Sequence, residues 1–160
     1  MRRAAVARAA AFLLVFWGCS ALFPVSRRHG DVVVFRPPSA AFGVAWLLLS
    51  AAAAASWATE AASPDLDASR LAFVDTSFAV LLVLLVLYAA MSEKRVAAAW
   101  IVAGSLAAAL TALAMEADWR SRGLMAPVVA WLVFALIMQA VLAQTLRAEP
   151  PLGDRRRAVD

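Results

Sequence analysis

The sequence holds few of the residues that do chemistry. Cysteine and histidine occur once each, as Cys19 and His29, which excludes an intrachain disulfide and leaves no His/Cys cluster for zinc. Neither residue has triad partners in an evident arrangement. Lysine is equally scarce, with Lys94 alone beside 14 arginines. Charge is missing above all from the long apolar stretches. The only ionisable groups within them, Arg8 and Asp75, sit near the ends, so no mid-membrane carboxylate, proton relay or carboxylate pair is visible. A small multidrug antiporter or an enzyme is therefore not expected, and no metal or cofactor is called for. The net charge of +4 comes from basic groups that flank the apolar runs, the pattern of membrane-helix flanks and not of a nucleic-acid surface.

What is abundant is apolar. Hydrophobic residues make up 64% of the 160 and mean hydropathy is +0.79, against about 45–50% apolar in soluble globular proteins. Five apolar runs fall at about 4–23, 39–58, 71–91, 96–115 and 124–144. Each approaches the roughly 20 residues that cross a 30 Å hydrocarbon core at 1.5 Å per residue. The expected fold is all-α, an integral membrane bundle of five transmembrane helices over residues 1–146, followed by a polar, disordered tail at 147–160.

The first run begins basic, as a cleaved leader would, but Phe16 and Trp17 fit poorly as a cleavage site before Cys19, so a retained helix is expected. Arg8 is expected to snorkel to the headgroups, and Asp75 to complement the N-terminal dipole of the third helix. Five spans put the termini on opposite sides. The N-terminus with the second and fourth loops carries six arginines, against nine arginines and lysines on the first and third loops and the tail, which places the C-terminus and first loop in the cytoplasm.

The chain is organised around FRPPSAAFGVAWLLLSAAAAASW, residues 35–57. Proline fixes φ and lacks an N–H, so Pro37 and Pro38 precede a helix that starts at Ser39. Phe42, Trp46, Ser50 and Trp57 share one helical face. On the fifth run Pro127, Trp131, Ala135 and Gln139 recur every four residues, with Phe134 beside them. Counting from the same membrane face puts Trp46 and Gln139 within about 3 Å in depth, and Trp131 roughly 9 Å deeper than Trp46. Facing one another, Phe42, Trp46, Ser50, Trp131, Phe134, Ala135 and Gln139 would line an apolar, aromatic pocket for a flat hydrophobic ligand. Arg36, Pro37 and Pro38 would form its lid, with Arg36, or Arg27 and Arg28, meeting a ligand carboxylate at the rim. Trp57, Trp100 and Trp119 are expected in an interfacial belt. Gly104 and Ala108 form a small-xxx-small pair of the kind that supports dimers. Leu85, Tyr88 and Lys94 match a loose sterol pattern.

RPPSAAFGVAW resembles the loop-to-second-helix signature of the tryptophan-rich sensory protein / translocator protein (TspO/MBR, peripheral-type benzodiazepine receptor) family, and LMAPVVAWLVFALIMQ resembles its fifth helix. Val44 stands where many members have proline, and Gln139 where they have asparagine. The resemblance implies a multi-pass binding or translocator protein for a porphyrin or sterol held between helices, often in a homodimer, with the first loop closing the pocket. The alternatives are a structural subunit or assembly factor that binds no small molecule, and a porphyrin-degrading enzyme.

Overall fold

A computed structural model describes residues 2–22, 39–64, 67–91 and 95–148. They form α1 (Arg2–Leu22), α2 (Ser39–Ala61), α3 (Ala68–Met91), α4 (Arg95–Met115) and α5 (Trp119–Ala148). All regular structure among the described residues is helical. A backbone in hydrocarbon must satisfy its own N–H and C=O groups, and a helix does so within each apolar run. Among the described residues four helices are long and apolar enough to cross a membrane, over Ala41–Ala61, Ala68–Met91, Ala97–Met115 and Trp119–Leu142. α1 is the fifth helix beside them. The first loop, with Arg27, Arg28, Arg36, Pro37 and Pro38, and residues 149–160 of the tail lie outside the described residues.

Side-chain caps move two helix starts earlier than the apolar pattern predicts. Asp67 accepts hydrogen bonds from the Arg70 N–H (2.8 Å) and the Ser69 hydroxyl (2.6 Å), so α3 begins at Ala68. Asp118 accepts from the Arg120 N–H at 2.8 Å and starts α5 at Trp119. The polar loop expected over Glu116–Gly123 thus shrinks to residues 116–118. Pro127 lies inside α5; it removes one backbone donor, a loss that helices packed in a membrane tolerate.

The helices close a ring in the order α1, α2, α5, α4, α3, with α3 returning to α1 and touching α2 across the ring. One aromatic cluster fills the middle. Trp57 stacks on Phe78 (5.4 Å between centroids, 4° between planes), and Phe12 meets both edge-on at 6.4 and 6.5 Å. Pairs of this kind are each worth about 0.5–1.5 kcal/mol beyond burial. α4 approaches α3 through Gly104, where a β-carbon would lie 3.2 Å from Leu84 Cδ1, and Ala108 is buried. The small-residue pair is therefore used inside the chain.

Two expectations about polar groups fail for one reason. Arg8 does not reach outward: its Nε and Nη2 donate to the two Asp75 oxygens at 2.9 and 2.8 Å. Trp57 is not in a belt, because its indole N–H donates to Asp75 Oδ1 at 2.7 Å. Asp75 thus serves as the meeting point of α1, α2 and α3, and not as a local dipole partner. Trp100 and Trp119 are each 75% exposed, as a belt requires, and the Arg120 guanidinium lies 5.5 Å over the Trp119 ring.

Asp75→Asn keeps the shape and the Trp57 acceptor but strips Arg8 of its counter-charge. It should lower stability by about 1.5–3 kcal/mol, read as a reduced melting temperature in detergent. Adding Arg8→Gln should restore part of that loss, since no lone charge remains. A double variant no more stable than Asp75→Asn alone would show the pair to be uncoupled.

Candidate functional site

Phe42 and Trp46 sit one helical turn apart on α2, and Trp131, Ala135 and Gln139 repeat that spacing on α5. Because α2 and α5 are ring neighbours, these faces meet. The Trp131 ring lies 5.2 Å from Phe42 (61° between planes), 6.3 Å from Trp46 (80°) and 5.5 Å from Phe134. Phe16 of α1 joins the group through Trp46 at 5.8 Å. One aromatic column therefore runs from Phe42 beside the first loop to Trp57 near the far end of α2, about 22 Å at 1.5 Å per residue.

Among the described residues the space beside Phe42 and Trp46 is small. A cavity of about 10 Å³ lies among Phe42 and Trp46 of α2, Leu85 and Tyr88 of α3, Val102 and Ser105 of α4, and Leu132 and Ala135 of α5. That is room for about one water, far below the roughly 300–1,000 Å³ of a drug-sized site. The rings that face each other across the bundle also fill it.

The seven pocket residues chosen from sequence are placed unequally. Phe42, Trp46 and Ala135 line the cavity. Trp131 and Phe134 extend the aromatic wall by ring contact. Gln139 is buried, and its Nε2 donates to the Tyr88 hydroxyl at 2.9 Å, so it reaches the cavity through a cavity-lining partner. Ser50 is buried but donates to its own helix at Leu47 O, 3.0 Å away, and does not line the cavity. The lid residues Arg36, Pro37 and Pro38 fall outside the described residues.

α3 and α4 supply the half of the wall that sequence reasoning left out. Tyr88 carried a signal, as the lone tyrosine of the chain set inside an apolar run. Ser105 carried little, since a serine inside a membrane helix commonly bonds its own backbone, as this one does to Ile101 O at 2.8 Å. Leu85, Val102 and Leu132 are indistinguishable by type from lipid-facing residues. One polar atom stands out: the Trp131 Nε1–H is buried without an acceptor among the described residues. An unpaired buried donor costs about 1–3 kcal/mol, so an acceptor supplied there would be favoured.

The model of the TspO/MBR family matches residues 33–144, from the end of the first loop almost through α5. No curated protein matches the chain.

Tyr88 and Gln139 should couple measurably. In a double-mutant cycle with Tyr88→Phe and Gln139→Leu, followed by detergent unfolding, the interaction should be about 1 kcal/mol. Additive losses would mean that the bond does not hold α3 to α5.

Proposed function

Because the chain belongs to the TspO/MBR family, we propose that it is a five-span membrane protein that takes a flat hydrophobic ligand, a porphyrin or a sterol, between α2 and α5. The meeting of Trp46 and Trp131 supports this most directly, since it sets two large π-surfaces from separate helices against each other, with Trp46 also lining the cavity. In this reading the site is closed when empty. Edge-to-face contacts among Phe42, Trp46 and Trp131 are exchanged for stacking on the guest, which matches them in kind and strength. The unpaired Trp131 N–H and the Tyr88–Gln139 pair supply the sparse polar contacts, while Leu132 and Ala135 shape the floor.

Residues 1–146 act as one domain with α1 as the fifth span, and the arginine census sets the C-terminus in the cytoplasm. Arg36 with Pro37 and Pro38 closes the site from the first loop. The protein works by binding or translocation and not by catalysis. A homodimer would have to form through lipid-facing residues other than the Gly104 approach.

A second reading is favoured by one specific observation. A cavity of about 10 Å³ suits a structural subunit that packs in a larger membrane complex and holds no small molecule. Titration of purified protein with protoporphyrin, followed by tryptophan fluorescence and porphyrin absorbance, separates the two. Saturable quenching is expected, weakened at least about tenfold, or 1.4 kcal/mol, in a Trp46→Ala, Trp131→Ala double variant. Unchanged affinity in that variant removes the pocket. No binding together with a stoichiometric co-purifying protein supports the structural subunit.

A further inference from the structure

At the end of α2 remote from Trp46, two glutamates are fully buried, each 0% exposed. Glu60 lies about 21 Å from that tryptophan along the α2 axis. Glu60 is the last acid of α2, and both its oxygens are used: Oε1 accepts from the Ala117 N–H at 2.7 Å and Oε2 from the Asp118 N–H at 3.1 Å. It therefore clasps the short loop that links α4 to α5. Glu116 begins that loop. Its Oε1 accepts from the Ser56 hydroxyl at 2.6 Å, while Oε2 is buried with no hydrogen-bond partner among the described residues.

Other charged groups do little for that oxygen. Arg122 of α5 spends its Nε on the Glu116 backbone carbonyl at 2.7 Å. Asp118 caps Arg120, and Arg120 lies over Trp119. The Ser56 hydroxyl is also within 3.1 Å of Ser121 O and 3.3 Å of the Ser121 hydroxyl. A carboxylate left there would carry a buried, unsatisfied negative oxygen beside a second carboxylate, an arrangement too costly to persist.

We propose that Glu116 is a proton-binding site, with the proton on Oε2, and that its occupancy controls the clasp joining α2 to the α4–α5 loop. A proton fits better than a metal ion: among the described residues no group of three or more acidic, histidine or cysteine side chains gathers there, and Glu60 is already spent on two amides. When the proton leaves, a charge appears beside Glu60, and the repulsion falls on the loop amides that Glu60 holds.

The local electrostatics run the same way. Burial pushes the Glu116 carboxyl above its ordinary range, the Ser56 and Ser121 hydroxyls work against that rise, Glu60 adds to it, and Arg122 lowers it; the balance is upward. An acid whose folded pKa is raised favours the protonated fold. Its contribution is fully present below the ordinary glutamate value of about 4.3 and is lost as pH rises through the folded value.

Hydrogen exchange of the Ala117 and Asp118 amides in detergent micelles tests this without any ligand, so the outcome is independent of the pocket described above. Comparison with Glu116→Gln at each pH removes the intrinsic base catalysis of exchange. Below the transition the two proteins should exchange alike; above it the wild type should exchange at least about tenfold faster, equivalent to about 1.4 kcal/mol. Equal protection throughout overturns the proposal. Should Glu116→Gln not fold, infrared spectra of the wild type decide: a protonated-carboxyl band should persist above the pH at which an ordinary glutamate has lost its proton and then titrate away. No such band overturns the proposal.

Discussion

The Asp75 carboxylate is the interaction on which the arrangement of helices rests. In hydrocarbon a charged group has no water to turn to, and this one is satisfied by Arg8 from α1 and Trp57 from α2. Three helices are tied at one point, and the tie fixes their rotation as well as their proximity. Trp57 cannot both donate to Asp75 and face lipid, so α2 is held with its aromatic face inward. The same face carries Trp46 and Phe42 toward α5. A polar contact near one end of the bundle thus sets the orientation of the aromatic wall near the other.

The two ends of α2 are built from different materials. Near the first loop its neighbours are rings and a single tyrosine–glutamine bond, contacts that can be exchanged one for another. At the far end Ser56 and Glu60 engage fixed backbone amides and a buried carboxyl, contacts with one acceptable geometry. Adaptable packing therefore stands opposite a rigid polar lock. This is the division expected of a protein that must yield in one place and keep its shape in another.

Much of the fold was legible because a bilayer imposes length and polarity on every span. Five runs became five helices, and the four-residue repeats of Phe42–Trp46 and Trp131–Ala135–Gln139 placed α2 against α5. Partners distant in sequence were not legible. Arg8 and Asp75 are 67 residues apart, and each alone looks like a residue at the edge of a span. Glu60 and Glu116 fell just outside the apolar runs, where an acid is ordinarily solvated, and only the tertiary fold buries them. Trp57 was misjudged because distance from a helix end measures depth but not direction. The size of the cavity was beyond reach of pattern, because it depends on how Phe42 and Trp46 interlock with residues of α3, α4 and α5.

Among the described residues the cavity beside Phe42 and Trp46 has room for about one water, so a guest taken up there would be tied to the surrounding lipid. A guest larger than a water would have to swell the bundle in cross-section, and the work of doing so would be done against the lateral pressure of the acyl chains. Uptake would then depend on how tightly the host bilayer is packed as well as on the affinity of the rings. A stiff, sterol-rich membrane would keep the helices shut, and a loosely packed one would let them part.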